Sequence, residues 1–415
     1  MFQNGANDVT GPMKGIRVLD WTMWQFGPMS AAMMGDMGAD VIKIEALDGD
    51  AGRSLSRAST IAPSLPGGRN AYFEANNRNK RGIAVNLKTQ EGREIIYKLV
   101  ETADVFVENF RQGVAERLEI GYDTLREINP MLVYGSATGY GPNGPDSGLP
   151  SFDGCGQARG GLMISATPAD AEEPVRVSQG VSDQMGAIML CQGVLAALVA
   201  RFVQGVGQKV DASHLSANMW LQGMGMSMSL IMGGNRFGAY DRKSAWNVLA
   251  NLYKCGDGRW IQLMHLQPDR YWESFMTALG LAEIVDDPKY ATMEARSENR
   301  EELVSIMDRQ FLTRTSNEWD KHFRATGDFI YAKVQSTDEL VDDPQVIANE
   351  YITTFDHPVI GPIKMCNHPN IYSETPSGIF KEAPELGQHT EDILVEELGY
   401  SWDDITALQD KGVIL

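Results

Sequence analysis

Between residues 15 and 136 the chain alternates short apolar strands with helical segments, and no other feature of its 415 residues restricts the fold as much. Gly15-Ile-Arg-Val-Leu-Asp20 alternates as a strand. A turn at Gln25-Phe-Gly27-Pro28 puts Pro28 where a helix can start, Ser30 to Met37 supplies that helix, and Gly38 ends it. Val41-Ile-Lys-Ile-Glu45 is the next strand. Two strands joined by a helical crossover form a parallel pair, because an antiparallel pair needs only a tight turn. The pattern then repeats, with strands at Arg81–Leu87, Asp104–Glu108 and Met131–Ser136 and helices at Thr89–Val100 and Asp123–Ile128. Such a series predicts a doubly wound α/β sheet that binds ligands at the carboxyl ends of its strands. Residues 46–77, rich in Gly, Ser, Pro and Asn, read as a long loop of a length that usually serves function.

Downstream, Met185 to Ala200 is apolar on nearly every face and reads as a buried core helix. Gln192 and Gly193 interrupt the run and Arg201 ends it, so it is not read as a membrane span. Gln208–Ser213 is a further strand, and the methionine-rich stretch Met219–Met232 reads as adaptable packing. Composition shifts near Gly233-Gly-Asn-Arg-Phe-Gly238. The division expected is a large domain over 1–215, a linker over 216–240, a small α+β domain over 241–330, and a linker and return to the large domain over 331–415. In the small domain, Leu252–Met264 forms a hairpin turning on Gly256-Asp257-Gly258, followed by helices at Glu301–Phe311 and Ser316–Phe323.

A net charge of -19 argues against nucleic acid and against a polybasic membrane contact as partners, yet permits a polyanionic small ligand where basic residues gather. The four cysteines form no C-x-x-C and the six histidines no metal-binding spacing, which fits a reducing compartment and predicts no metal site. Met1–Asp8 lacks the basic and apolar segments of a signal peptide, so a cytoplasmic location is expected.

Asp183 stands between a polar, Gly-containing stretch from Arg176 and the long apolar run. There it reads either as a helix cap or as an ionised nucleophile favoured by free backbone N–H groups and the helix dipole. Gly139-Tyr140-Gly141-Pro-Asn-Gly144 matches a dinucleotide-binding spacing, but Pro142, Pro145 and Pro150 leave no clean helix to receive a pyrophosphate, and a tight loop carrying Tyr140 is expected instead. Arg78-Asn-Lys80-Arg81 is a basic cluster in an acidic chain, and Arg117 is a second candidate phosphate partner; both also read as solvated charge. No G-x-x-x-x-G-K-[ST] or G-x-S-x-G occurs.

Taken in order, these segments resemble the class III (CaiB/BaiF-type) coenzyme A transferases over nearly the whole chain. The likeness runs through Gly15–Asp20 with Gln25 and Gly27-Pro28, Gly38–Glu45, Asn79-Lys-Arg-Gly-Ile, Ala103–Phe110, Gly139–Pro145, Gly205–Asp211, Tyr253–Gly258 and Gly387–Leu394. The resemblance implies a Rossmann-like large domain, a smaller α+β domain and an interlaced, ring-like homodimer. It implies that Asp183, in Ser182-Asp-Gln-Met-Gly186, attacks an acyl-CoA carbonyl to give a mixed anhydride and then an aspartyl-CoA thioester. Gln25 and Tyr140 match active-site positions, and Arg78, Lys80, Arg81, Asn109 and Arg117 match positions that contact coenzyme A. The thioester is then a substrate, and no permanently bound cofactor is implied.

Two departures narrow that reading. Ser244–Tyr253 lacks the glycine run that serves as a lid in formyl-CoA-type members, which argues against a small dicarboxylic substrate. Phe152 stands where the racemase branch carries a histidine, so the alternative, a CoA-ester racemase, lacks its second base there. Closer likeness through Phe275–Gly280 and Thr315–Trp319 points to the aryl-lactate and 2-hydroxy-acid branch.

Overall fold

Six strands, all paired in parallel, make the central sheet in the order β3-β2-β1-β4-β5-β6. They are β1 (Arg17–Trp21), β2 (Asp40–Glu45), β3 (Lys80–Ala84), β4 (Val105–Glu108), β5 (Val133–Thr138) and β6 (Lys209–Ser213). The computed structural model describes residues 10–55, 64–168, 170–178, 180–234 and 240–415. Strand residues alternate between two buried faces. Leu19, Ile42, Ile83 and Phe106 pack with Ile95 and Leu99 of the helix Gln90–Val100. On the opposite face, Val18, Val41, Val105 and Val133 pack with Met34 of the helix Phe26–Asp36 and with Leu190 and Val194 of the helix Val181–Gln204. Helices on both faces explain why the strands read as near-continuous apolar runs.

The chain winds outward from β1 to β3, returns to β4 beside β1, and winds the other way to β6. Strand order therefore reverses between β1 and β4, and the crevice at their carboxyl ends, beyond Trp21 and Glu108, is the natural ligand position. The edge of β3 is covered by the C-terminal segment. His389 donates its backbone N–H to the Gly82 carbonyl at 2.9 Å, and the Ala84 N–H donates to the Thr390 hydroxyl at 3.1 Å.

Two compact units divide the chain, one of residues 1–166, 174–235 and 348–415, the other of 167–173 and 236–347. The segment expected as a linker is helical over His214–Leu221 and Gly223–Ile231, within the first unit, while residues 235–239 lie outside the described residues. In the second unit, Tyr331–Lys333 adds a third antiparallel strand to the hairpin of Leu252–Lys254 and Trp260–Leu263, which keeps residues up to 347 with that unit. Its core is aromatic, with Tyr253 stacked on Phe311 at 4.8 Å and Trp319 on Phe323 at 5.1 Å. The region read as a long loop contains the helix Ala71–Asn77, started by the Asn70 side chain accepting from the Phe73 N–H at 2.9 Å. Residues 56–63 of that region lie outside the described residues.

Candidate active site

The crevice begins with a clamp. Asn109, the residue after β4, accepts the Met23 N–H at 2.9 Å and donates to the Met23 carbonyl at 2.8 Å. One side chain thus satisfies both backbone groups of Met23, in the loop after β1, and ties the two strands at the switch point. Trp24, next in that loop, has φ +69° and donates its N–H to Asp50 at 3.1 Å.

Gly180, at φ +75°, caps the helix Val181–Gln204, so Asp183 is the third helical residue rather than the cap. The capping hydrogen bond comes from another element: the Ser182 N–H donates to Asp153 Oδ1 at 2.7 Å. Asp153 in turn is held by Gln157, whose amide donates to it at 2.8 Å. With the cap supplied by Asp153, the Asp183 carboxylate is left in the first turn, where the dipole favours its charge. Gln25 donates to the Gly180 carbonyl at 3.2 Å, and a Cβ on Gly180 would lie 2.6 Å from Gln25 Oε1, so only glycine fits both the φ and the contact.

His214, the first residue after β6, reaches Asp183 from the sheet. Its Nε2 lies 2.7 Å from Asp183 Oδ1, and its Nδ1 lies 3.0 Å from the Ser151 hydroxyl. The ring packs on Phe26, centroids 4.9 Å apart. An ionised carboxylate only accepts, so Nε2 carries a proton whichever way Ser151 is turned. Among the described residues, Asp183 Oδ2 has no hydrogen-bond partner. Both side chains stand in the wall of a cavity of about 400 Å³ shared with Met23, Trp24, Tyr72, Asn109, Phe110 and Phe152. Burial, and then the charge of Asp183, hold the Tyr72 phenol well above its ordinary pKa, so it stays protonated.

The other expected site residues are dispersed. Tyr140 lies in the loop after β5 under the Arg159 guanidinium, 4.6 Å from the ring, and does not line the cavity. The basic cluster sits at the amino end of β3, away from the crevice, and its charges are matched inside the fold. Arg78 binds both oxygens of Asp36, at 3.0 and 2.5 Å. Lys80 is fully buried and donates to Asp20 at 2.7 Å, the Pro28 carbonyl at 2.8 Å, Asn77 at 2.9 Å and the Asn76 carbonyl at 3.1 Å. Burial brings its pKa down to about 8 against the pull of Asp20, which leaves it charged at neutral pH. Arg81 binds Asp40 at 2.9 and 2.7 Å, and also Glu397. An ammonium with four oxygen partners has no donor left for a phosphate, which is the physical reason to set Lys80 aside.

Arg117 is exposed on the helix Val114–Arg117. Arg111, also exposed, lines the cavity, and among the described residues neither has an ion-pair partner. Arg111, Tyr72, Ser151 and His214 were not singled out by the sequence reading. A signal for His214 was present, since it follows the last residue of the expected strand Gln208–Ser213, at the end where a doubly wound sheet keeps its ligands. Among the described residues no group of three or more His, Cys, Asp or Glu could hold a metal ion.

Fold and site together define an α/β enzyme whose cleft opens at the switch point with a carboxylate–imidazole pair in its wall. The chain belongs to CoA-transferase family III, whose sequence model matches residues 13–390, and it is an enzyme of the acyl-CoA:carboxylate CoA-transferase type. It is 32% identical over 405 residues to an (R)-2-hydroxy-4-methylpentanoate CoA-transferase of Clostridioides difficile, covering 97% of this chain and 99% of that protein. It is 30% identical to a cinnamoyl-CoA:phenyllactate CoA-transferase of Clostridium sporogenes, covering 98% of each. The crystal structure of a CAIB/BAIF family protein from Brucella suis superposes with a TM-score of 0.81 at 26% identity, covering 93% of this chain and 99% of that one.

Proposed function

We propose that the enzyme transfers coenzyme A from an acyl-CoA thioester to a free carboxylic acid by covalent catalysis on Asp183. The observation that carries this reading is the placement of the Asp183 carboxylate: in the first turn of a helix and in the wall of the cavity, tethered through Oδ1, with Oδ2 without a partner among the described residues. Oδ2 attacks the thioester carbonyl, and the coenzyme A thiolate leaves a mixed anhydride. The thiolate then attacks the Asp183 Cγ, which releases the first acid and leaves an aspartyl-CoA thioester. The incoming carboxylate reverses both steps and departs as the new thioester.

Gln25 supports the turn that presents Asp183, and Asn109 fixes the loop beneath the acyl group. Tyr140 closes over the cleft only if its loop moves toward the cavity. Arg111 and Arg117 are the cations suited to the coenzyme A phosphates, in place of Lys80 and Arg81. The acyl and acceptor groups are aryl or branched aliphatic, the acceptor a 2-hydroxy acid, a reading supported by the apolar wall of Met23, Trp24, Phe26, Phe110 and Phe152 and by the relatives named above. Racemisation is the poorer reading. Phe152 supplies no base, and an imidazole hydrogen-bonded to Asp183 at 2.7 Å leaves no room for an α-carbon between two bases.

The working form is a homodimer in a reducing, cytoplasmic setting. Phe202, Val203, Trp220, Met224 and Ile231 lie 68 to 85% exposed in the first unit, an apolar surface suited to a second copy. The test is steady-state kinetics with a panel of aryl- and branched-acyl-CoAs and 2-hydroxy acids. Parallel double-reciprocal lines support the covalent route; α-proton exchange without an acceptor acid rules against it.

A further inference from the structure

Asp183 has two oxygens in different surroundings, and in the route proposed above they have different fates. Oδ2 bonds to the acyl carbon. When the thiolate sulfur attacks Cγ, the S–Cγ bond forms and the C=O electron pair moves onto Oδ1. Collapse restores that carbonyl and breaks the Cγ–Oδ2 bond, so Oδ2 leaves with the released acid. The incoming acid then supplies a new Oδ2 by attacking Cγ and expelling the thiolate, again with negative charge on Oδ1. Oδ1 is therefore the oxyanion of every step at Cγ, and it never leaves the protein.

His214 touches that oxygen. We infer that His214 is a second catalytic residue, whose Nε2–H stabilises the Oδ1 oxyanion each time Cγ is attacked and keeps Oδ1 from exchanging places with Oδ2. Its imidazole is preorganised for this. Nε2 lies 2.7 Å from Oδ1, within the range of an oxyanion donor. Ser151 at Nδ1 and the Phe26 ring fix its plane, and His214 is only 5% exposed, so little water competes for the bond. A hydrogen bond to the resting carboxylate slightly weakens Asp183 as a nucleophile, so the advantage must fall in the steps where Asp183 is the electrophile. The inference rests on the aspartyl route, and the test separates the two.

The enzyme is turned over many times with an acyl-CoA and an acceptor acid carrying oxygen-18 in both carboxylate positions, and the peptide containing Asp183 is weighed. The wild type is expected to take up one heavy oxygen and stop. His214→Met, which keeps bulk but removes the donor, is expected to take up two, with kcat lower by roughly 100-fold, the usual loss on removing one oxyanion donor. His214→Gln, which retains an N–H, is expected to return to one heavy oxygen and recover part of the rate. Two heavy oxygens in the wild type, or one in His214→Met, overturn the role of His214 while leaving the aspartyl route standing. A wild-type count of two overturns the role even where a variant fails to fold, and His214→Gln keeps it testable where His214→Met does. No heavy oxygen in the Asp183 peptide removes the aspartyl route itself, and the role of His214 with it.

Discussion

Gly156 lies directly beneath His214: a Cβ added there would sit 2.7 Å from the His214 Cβ and 2.1 Å from the Ser182 hydroxyl. The helix Asp153–Arg159 can thus bring Asp153 to the start of the helix Val181–Gln204 only because its inner residue has no side chain. Gly156→Ala should displace His214 or the Ser182 turn at a cost of roughly 1–3 kcal/mol, the usual penalty of overpacking. Thermal unfolding together with kcat measures it. Wild-type values for both would mean that the contact yields without consequence.

Charge clustering points to Lys80 as a phosphate partner, whereas the structure buries Lys80 and sets Arg111 in the cavity wall. Lys80→Met leaves Asp20 buried without its cation and should destabilise the fold by roughly 3–5 kcal/mol, with KM for acyl-CoA little changed in the folded fraction. Arg111→Ala should leave stability within about 0.5 kcal/mol of wild type, as surface substitutions do. It should raise KM for acyl-CoA, with a weaker dependence of KM on salt. Denaturant melts and KM at two ionic strengths distinguish the pair. A stable Lys80→Met with a raised KM would return Lys80 to the phosphate site.

Glu108 ends β4 beside the switch point, and burial raises its pKa to about 7, against hydrogen bonds from Ser136 at 2.5 Å and the Phe110 N–H at 2.8 Å. A carboxyl whose pKa is raised by folding contributes stability that is fully present below its unfolded value and is lost as pH rises through the folded value. Between pH 5 and pH 8 the wild type should therefore lose roughly 2–3 kcal/mol relative to Glu108→Gln, the size of that shift. Denaturant melts of both proteins at the two pH values provide the check, and parallel stability curves would count against a neutral Glu108 in the fold.

Much of this architecture is legible in the sequence for a physical reason. A strand buried on both faces must be apolar throughout, as Val41-Ile-Lys-Ile and Val105-Phe-Val are nearly so, and crossover helices leave their own periodicity between such strands. The local pattern around Asp183, a carboxylate beside a long apolar run, left cap and nucleophile both open, and only the family resemblance pointed to the second. What could not be read is pairing over distance. The acids that match Arg78, Lys80 and Arg81 are Asp36, Asp20 and Asp40, some 40 to 60 residues earlier in the chain, and local charge density does not report them. His214 meets Asp183 from an element 31 residues away, and Ser151 meets His214 from 63 residues away, brought together by β6 pairing beside β5 rather than by any motif.

The free surface of Trp220, Met224 and Ile231 gives a further expectation. Light scattering after gel filtration should report a dimer, and Met224→Glu with Ile231→Glu should dissociate it or render the protein insoluble. A monodisperse wild-type monomer would contradict a role for that surface in self-association.

The most direct measurement is the mass of the Asp183 peptide after rapid quenching of the enzyme with an acyl-CoA, wild type beside Asp183→Ala. The expected result is an acyl or coenzyme A adduct on that peptide in the wild type, discharged by an acceptor acid, with adduct and turnover both lost in the variant. An unmodified peptide in an enzyme that turns over, or an Asp183→Ala protein that still transfers coenzyme A at the wild-type rate, would contradict covalent catalysis at Asp183.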